Sequence, residues 1–380
     1  MESLLATARR GSGLQDFGED SFREGLEVLC ASLQEESGLT TFGRIVLRGL
    51  LLHNLEVRLR LLDWVRQHPE VRQEEIRTPF VILGLPRTGT TLLSFLLDLD
   101  PRNRSLLQWQ AGDPVPPPTQ SGVAEDPRIA ATATQLARLH AINPAVGAMH
   151  PMGATLPTEC VTLFMLDFRS LLVETQAPVP RYGRWLEKAS PRSAYAIHKL
   201  ALQTLQSTIP TGRWSLKTPQ HLWHLEALHE AYPDARLIWT HRDPVKVVAS
   251  TASLNATFFG ATCRRVDPKA VGADWAHKLH TAVSRGVAHD RAQPGPGWCC
   301  HVHYAELLRD PIGAVRRIYA HFGEEPGPLH LRRMQAWMRE RSEDTGRHRY
   351  QLGDFSLCEA ALREDFRPYT ERFGIPAEER

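Results

Sequence analysis

An apolar run, Val81-Ile82-Leu83, leads into Gly84-Leu85-Pro86-Arg87-Thr88-Gly89-Thr90-Thr91, and a leucine-rich helical pattern follows. Two glycines bracketing a short loop between a strand and a helix are the layout of a backbone cradle for a phosphate. A nucleotide triphosphatase of this design needs Lys directly after the second glycine. Here that place is Thr90, and the cation lies inside the loop as Arg87. Arg87 brings a fixed positive charge, Thr88, Thr90 and Thr91 bring hydroxyl donors, and Gly89 allows close backbone approach. The chemistry expected is capture of a donor with one terminal anionic group, rather than a Mg-bridged triphosphate. A plain glycine turn would explain the spacing alone, but the strand–loop–helix setting favours the anion site.

A second basic signal follows a second apolar run. Thr240-His241-Arg242-Asp243-Pro244 ends a strand pattern, places Pro at the first turn of a helix, and puts Ser250 two turns further on. If the chain folds back, Arg242 and Ser250 hold one phosphate between them. Otherwise Arg242 pairs with Asp243 or Asp234, and Ser250 is an ordinary helix residue. His221 and His224, with His229 beyond, invite a metal reading, but no carboxylate stands at ligand spacing and no metal is expected.

These residues need elements to position them. Thr41 to Val65 reads as one or two helices. Strands are expected at Pro79 to Gly84, Arg213 to Lys217, Arg236 to Thr240 and Trp298 to His303. Helices are expected at Thr90 to Leu97, Arg128 to Ile142, Pro157 to Val173, His221 to Ala231, and from Pro244 onward. Pro114-Val115-Pro116-Pro117-Pro118 is a stiff loop. Strands alternating with helices imply a parallel sheet. The expected architecture is α/β: a P-loop-like parallel sheet flanked by helices, with a helical N-terminal arm over residues 1–75. The α/β domain then spans 76–380 and carries a helical insertion at about 110–212. Trp109, Phe164 and Phe168 in that insertion either line an apolar acceptor pocket or belong to the core.

Composition narrows the class. The chain has 380 residues, 42% of them hydrophobic, and a net charge of +2, which gives no bulk attraction to nucleic acid. The first twenty residues contain no apolar core of a secretory signal, and no segment is long and apolar enough for a bilayer. Six cysteines without C-x-x-C spacing read as reduced thiols, so a cytoplasmic protein is expected.

Pro86-Arg87-Thr88-Gly89-Thr90-Thr91 resembles the 5′-phosphosulfate loop of sulfotransferases that use 3′-phosphoadenosine 5′-phosphosulfate (PAPS). Arg242-Asp243-Pro244 with Ser250 resembles the 3′-phosphate site of the same superfamily. Val115-Pro116-Pro117-Pro118, Pro157-Thr158-Glu159-Cys160, Leu216-Lys217-Thr218-Pro219-Gln220-His221 and Gly346-Arg347-His348-Arg349-Tyr350 resemble its broad bacterial-type branch. The resemblance runs from about Pro79 to Phe373. The cytosolic enzymes usually carry Lys where this chain has Arg87. They also end in a Gly-rich, Lys-bearing segment absent here, whose task falls to Arg347 or His348 beside the donor phosphates.

The resemblance implies metal-independent sulfuryl transfer from PAPS to a hydroxyl of a small-molecule or lipid-like acceptor; the oligomeric state is left open, a homo-oligomer among its options. Arg87 would neutralise charge on the bridging oxygen as the phosphate leaves. The acceptor must lose a proton, and His221, Glu159 and His150 are the candidate bases. His221 follows a strand end and opens a helix, which places it at the sheet's ligand edge. Glu159 orients it or acts directly, and Lys217 binds the sulfuryl group or the acceptor. The structural alternative makes His221 a helix cap and Glu159 a first-turn carboxylate. Two rival functions stand beside this one. A P-loop kinase or NTPase would turn over ATP with Mg. A non-catalytic module sensing PAPS or its desulfated product would need Arg87, Arg242 and Ser250 but neither His221 nor Glu159.

Overall fold

The computed structural model describes residues 1–144, 151–293, 295–340 and 351–378. Five strands form one sheet: β1 (Phe80–Gly84), β2 (Asn103–Ser105), β3 (Arg213–Lys217), β4 (Arg236–His241) and β5 (Cys299–His303). Their order is β2-β3-β1-β4-β5, and every neighbouring pair is parallel. β1 occupies the centre, with Ile82 opposite Lys217 of β3 on one side and Gly84 opposite Thr240 of β4 on the other. β2 is a short edge strand that the sequence reading passes over, because three residues give no periodicity to read.

Side chains alternate across this sheet into two cores. Phe80, Ile82, Ile238, Cys300 and Val302 meet the leucines of the Thr90–Asp98 helix and Val315 and Ile318 of the Pro311–His321 helix. Val81, Leu83, Leu216, Leu237 and Trp239 face the opposite way, into a core shared with the Arg192–Gln206, Pro244–Thr262 and Pro268–Ala292 helices. Burial on both faces explains why β1 and β4 are near-continuous apolar runs rather than alternating ones.

The helix after β1 therefore covers one face and the helix after β4 covers the other. From β1 the chain turns towards β2 and β3, and from β4 it turns towards β5. The carboxyl ends of β1 and β4 thus flank the point where strand order reverses, which is where open α/β sheets take their ligands.

The first 75 residues form three α-helices, Glu2–Ser12, Ser21–Glu35 and Thr41–Gln67, and a 3-10 turn at Pro69–Gln73. Leu5, Leu26 and Leu47 are buried in the same core as Val81 and Leu216, so this expected arm packs on the body of the fold. Thr41–Gln67 is one unbroken helix.

Two expected helices are corrected. Pro157 to Val173 is not one helix but a short turn at Val161–Phe164, a 3-10 turn at Met165–Asp167 and another at Val173–Thr175. Phe168 there takes φ 51°, a left-handed conformation that ends the helical run. Gln220 holds the unwound stretch from below, accepting from the Leu171 N–H (2.8 Å) and donating to the Arg169 carbonyl (2.9 Å). His221 to Ala231 is likewise divided, into a 3-10 turn at Pro219–Trp223 and a helix at Leu225–Ala231. The last strand begins at Cys299, with Trp298 in the preceding turn.

Candidate active site

The loop after β1 adopts the backbone its glycines suggest. Gly84 has φ 133°, and a Cβ there would stand 2.5 Å from the Thr240 carbonyl oxygen of β4. Gly89, at φ 90°, caps the Thr90–Asp98 helix, so the first-turn N–H groups of that helix face the loop. Arg87 is itself left-handed, with φ 65°, a conformation a non-glycine residue adopts only when its surroundings hold it there. Pro86 and Arg87 are half-buried at the loop's crest.

Thr88 contributes differently from the expectation. It is fully buried, and its hydroxyl donates to the Leu85 carbonyl (2.6 Å) and meets the Thr240 hydroxyl (2.6 Å). Its side chain locks the loop onto β4 and is not turned to a ligand. Thr90 is buried in the first helical turn, and Thr91 lies half-exposed beside it.

The fold brings the two basic signals together. Ser250, on the Pro244–Thr262 helix, accepts a hydrogen bond from Arg87 Nε at 3.1 Å. Arg242, at the end of β4, donates through Nη1 to the Arg87 carbonyl oxygen at 2.9 Å. Arg242 does not pair with Asp243 or Asp234. Asp243 caps the Pro244–Thr262 helix through the Val245 N–H, and Asp234 accepts from the Thr78 N–H. Arg242 instead engages Glu378 in a two-pronged contact from Nε (2.8 Å) and Nη2 (2.9 Å). The Glu378 N–H in turn donates to Asp243 Oδ2 at 2.9 Å. A carboxylate on a guanidinium fork has the charge and geometry of a bound phosphate edge.

Tyr304 completes this corner. The Arg242 guanidinium lies 4.1 Å from its ring centroid, and a Cβ on Gly89 would stand 3.1 Å from the same ring. The sequence reading misses Tyr304 and Glu378, since both reach the site only through tertiary packing. The one clue to Tyr304 is its place immediately after a strand.

A second cluster stands at the end of β3. Lys217 Nζ donates to Glu159 Oε1 at 3.1 Å and to the Thr91 hydroxyl at 3.4 Å. The Lys217 side chain is 2% exposed and that of Glu159 is 23% exposed, so the pair opens outward through the carboxylate. Two backbone bonds fix Glu159 there: the Thr158 N–H to the Leu106 carbonyl (2.8 Å) and the Cys160 N–H to the Lys217 carbonyl (2.9 Å). They lay Pro157 to Cys160 across the ends of β2 and β3. Burial pushes the Cys160 thiol up to about 12, so this neighbour is a packing group and not a nucleophile.

His221 is placed elsewhere. Its ring is fully buried, Nδ1 pairs with the Tyr195 hydroxyl at 2.8 Å, and Phe164 and His198 close around it. Burial, reinforced by His198 and His224, drives its pKa well below the ordinary histidine value, so the ring is neutral. Glu159 Oε1 is bonded to Lys217 and does not orient His221. Trp109, Phe164 and Phe168 are also core residues, each at most 1% exposed. His150, Arg347 and His348 lie outside the described residues. Among the described residues no group of three or more His, Cys, Asp or Glu is arranged to hold a metal ion, and no helix is long and apolar enough to cross a membrane.

Comparison with known proteins places the chain in a family. The profile of the sulfotransferase family matches residues 79–327. The crystal structure of sulfotransferase STF9 from Mycobacterium avium superimposes with a TM-score of 0.89 at 34% identity, over 100% of this chain and 98% of that one. That of sulfotransferase STF1 from Mycobacterium tuberculosis does so with a TM-score of 0.86 at 32% identity, over 96% and 98%. Among curated proteins, omega-hydroxy-beta-dihydromenaquinone-9 sulfotransferase Stf3 of Mycobacterium tuberculosis is 26% identical over 183 residues, or 46% of this chain and 45% of that protein. The chain thus spans about half the length of the curated relatives it matches. With the parallel sheet, the loop at its switch point and a profile match across most of the α/β region, the chain belongs to the sulfotransferase family.

Proposed function

We propose that this chain transfers a sulfuryl group from PAPS to the hydroxyl of a lipid-like acceptor, with Glu159 taking the acceptor's proton. The observation that carries the donor reading is the 3.1 Å hydrogen bond from Arg87 Nε to Ser250. It joins a cation of the β1 loop to a hydroxyl of the helix after β4, so residues far apart in sequence serve one bisphosphorylated ligand. The fit of the donor is supported by the Gly89 cap, the first-turn N–H groups of the Thr90–Asp98 helix and the Arg242 fork, all of which suit phosphate oxygens. Bound there, PAPS supplies a sulfuryl group already attached to a good leaving phosphate.

The residues of the chain supply the rest. Glu159 removes the proton from the acceptor oxygen, and that oxygen forms the new bond to sulfur. The bond from sulfur to the 5′-phosphate oxygen breaks, and its electron pair leaves with the nucleotide. Lys217 lies between Glu159 and Thr91, where its charge spans the path from acceptor to donor loop. Arg87, which cannot deprotonate at neutral pH, stabilises charge electrostatically. We assign the proton to Glu159 over His221 because its carboxylate is open to solvent and pairs with Lys217, while the imidazole is sealed among aromatic rings. The lipid-like acceptor rests on likeness to Stf3, which is named for a menaquinone-derived substrate.

The test is thermal shift with 3′-phosphoadenosine 5′-phosphate, ADP, and ATP with Mg. A ligand at a hundred times its Kd adds about 2.7 kcal/mol to stability. The bisphosphate is expected to stabilise strongly and ADP weakly. Stabilisation by ATP only with Mg would replace this reading with the kinase one.

A further inference from the structure

Four of the largest exposed apolar side chains gather at one end of the Pro244–Thr262 helix. Phe42, Ile45 and Val46 are 43%, 66% and 38% exposed on the first two turns of the Thr41–Gln67 helix. Their i, i+3, i+4 spacing makes an apolar stripe pointing outward, while Leu47 and Leu51 point into the core. A helix packed on a soluble body normally turns its second face to water as polar residues, so this stripe is anomalous.

The surroundings pin it. The Thr40 N–H and hydroxyl both donate to the Thr262 carbonyl, at 2.9 and 3.0 Å. A Cβ on Gly43 would stand 2.0 Å from that oxygen, so glycine permits the contact. The Arg264 N–H donates to the Gly38 carbonyl at 3.0 Å, which sets Arg264 and Arg265 beside the helix start. Asn143 Nδ2 donates to the Thr257 carbonyl at 3.0 Å, bringing Ile142, 53% exposed, to the same helix. His53 Nε2 is 2.8 Å from the Gly112 carbonyl, which ties the middle of the same helix to the start of the insertion.

Basic groups predominate around the stripe. Arg44, Arg48, Arg264 and Arg265 are all exposed. Among the described residues none of the four takes part in an ion pair, and the nearest acidic residues in the chain, Glu36, Glu56 and Asp267, lie just outside residues 37–55 and 244–266. Apolar side chains ringed by unpaired arginines suit an anionic bilayer, whose headgroups attract the guanidinium groups and whose acyl boundary takes the apolar ones. A second copy of this chain would set these arginines against their own kind, and a wet polar partner would gain nothing from Ile45.

We propose that this face docks the protein reversibly on an anionic lipid surface, with Phe42, Ile45 and Val46 entering the interface and the four arginines contacting headgroups. It goes beyond the transfer reaction, and it would let a lipid-borne hydroxyl reach the insertion without leaving the bilayer.

The experiment is co-sedimentation of the full chain with phosphatidylcholine vesicles, with and without phosphatidylglycerol, in the absence of donor and acceptor. Binding is expected only with phosphatidylglycerol and is expected to weaken as salt rises. Ile45→Asp and, separately, the double variant Arg264→Glu/Arg265→Glu are each expected to cut it by about tenfold or more. Both variants should keep the thermal shift given by 3′-phosphoadenosine 5′-phosphate, which shows that they are folded. No preference for phosphatidylglycerol, or binding that both variants leave unchanged, overturns the proposal. So does a dimer in sedimentation velocity that Ile45→Asp dissolves while vesicles remain unbound. Vesicle binding without any nucleotide shift would break the donor assignment alone.

Discussion

The two sides of the sheet's carboxyl edge are built in opposite ways. On the proposed donor side, at β1 and β4, the critical atoms belong to short contiguous segments whose backbone is fixed by Gly84, Gly89 and the cap at Asp243. On the proposed acceptor side, at β3, Lys217 meets Glu159 from a segment 58 residues away, laid in place by two backbone hydrogen bonds. The first arrangement follows from local geometry. The second exists only because an unwound stretch crosses strand ends. A motif can therefore be sound as a sequence pattern and still mislead about which of its side chains faces the ligand. Lys217 and His221 belong to one such motif. One reaches the edge, and the other turns back into the core.

The sharpest way to break this contrast is to exchange the weights of Glu159 and His221. Glu159→Gln is expected to lower kcat by about 10²–10⁴-fold, the range for loss of a general base, with product affinity retained. His221→Asn is expected to lower kcat less than about tenfold. Its main effect should be on unfolding, about 1–3 kcal/mol by denaturation, because the buried Tyr195 hydroxyl loses its partner. The reverse ranking in steady-state assays would return the proton to the imidazole.

Smaller effects should sharpen the donor side. Ser250→Ala is expected to weaken 3′-phosphoadenosine 5′-phosphate binding by about tenfold or more by calorimetry, the cost of one hydrogen bond to a charged group, and to leave ADP nearly unchanged. Glu378→Gln should act in the opposite sense, tightening the bisphosphate severalfold, because the carboxylate on Arg242 competes for the same fork. Equal responses to ADP and the bisphosphate would detach Ser250 from the 3′-phosphate.

A separate effect is on stability against pH. Burial lowers the pKa of His198 to about 3 and of His224 to about 3, and holds His221 and His241 well below the ordinary 6.5. The unfolded chain takes up protons near pH 6.5 that these folded rings refuse. Their contribution is complete above that pH and is lost as pH falls below it, by up to about 1.4 kcal/mol per pH unit for each ring. Chemical denaturation at pH 7.5 and 5.5 should show the decline. A flat profile would mean that the rings are protonated and paired in the native state.

The chain's own order of residues determined a great deal. The apolar runs at Phe80 and Leu237, the glycines of the loop, and Pro244 behind a capping Asp fix strands, a turn and a helix start through backbone conformations that few alternatives satisfy. They also bring out the residues proposed to hold the donor, because a phosphate cradle is made of consecutive backbone groups. Tertiary structure alone decided that Thr88 faces Thr240, that Glu378 rests on Arg242, that Pro157 to Val173 unwinds at Phe168, and that His221 is sealed while Glu159 is open. The reason is physical. Local spacing fixes which face of a strand or turn a residue occupies, but whether that face meets solvent, a ligand or another side chain depends on segments distant in the chain, whose arrival is set by the packing of the whole core.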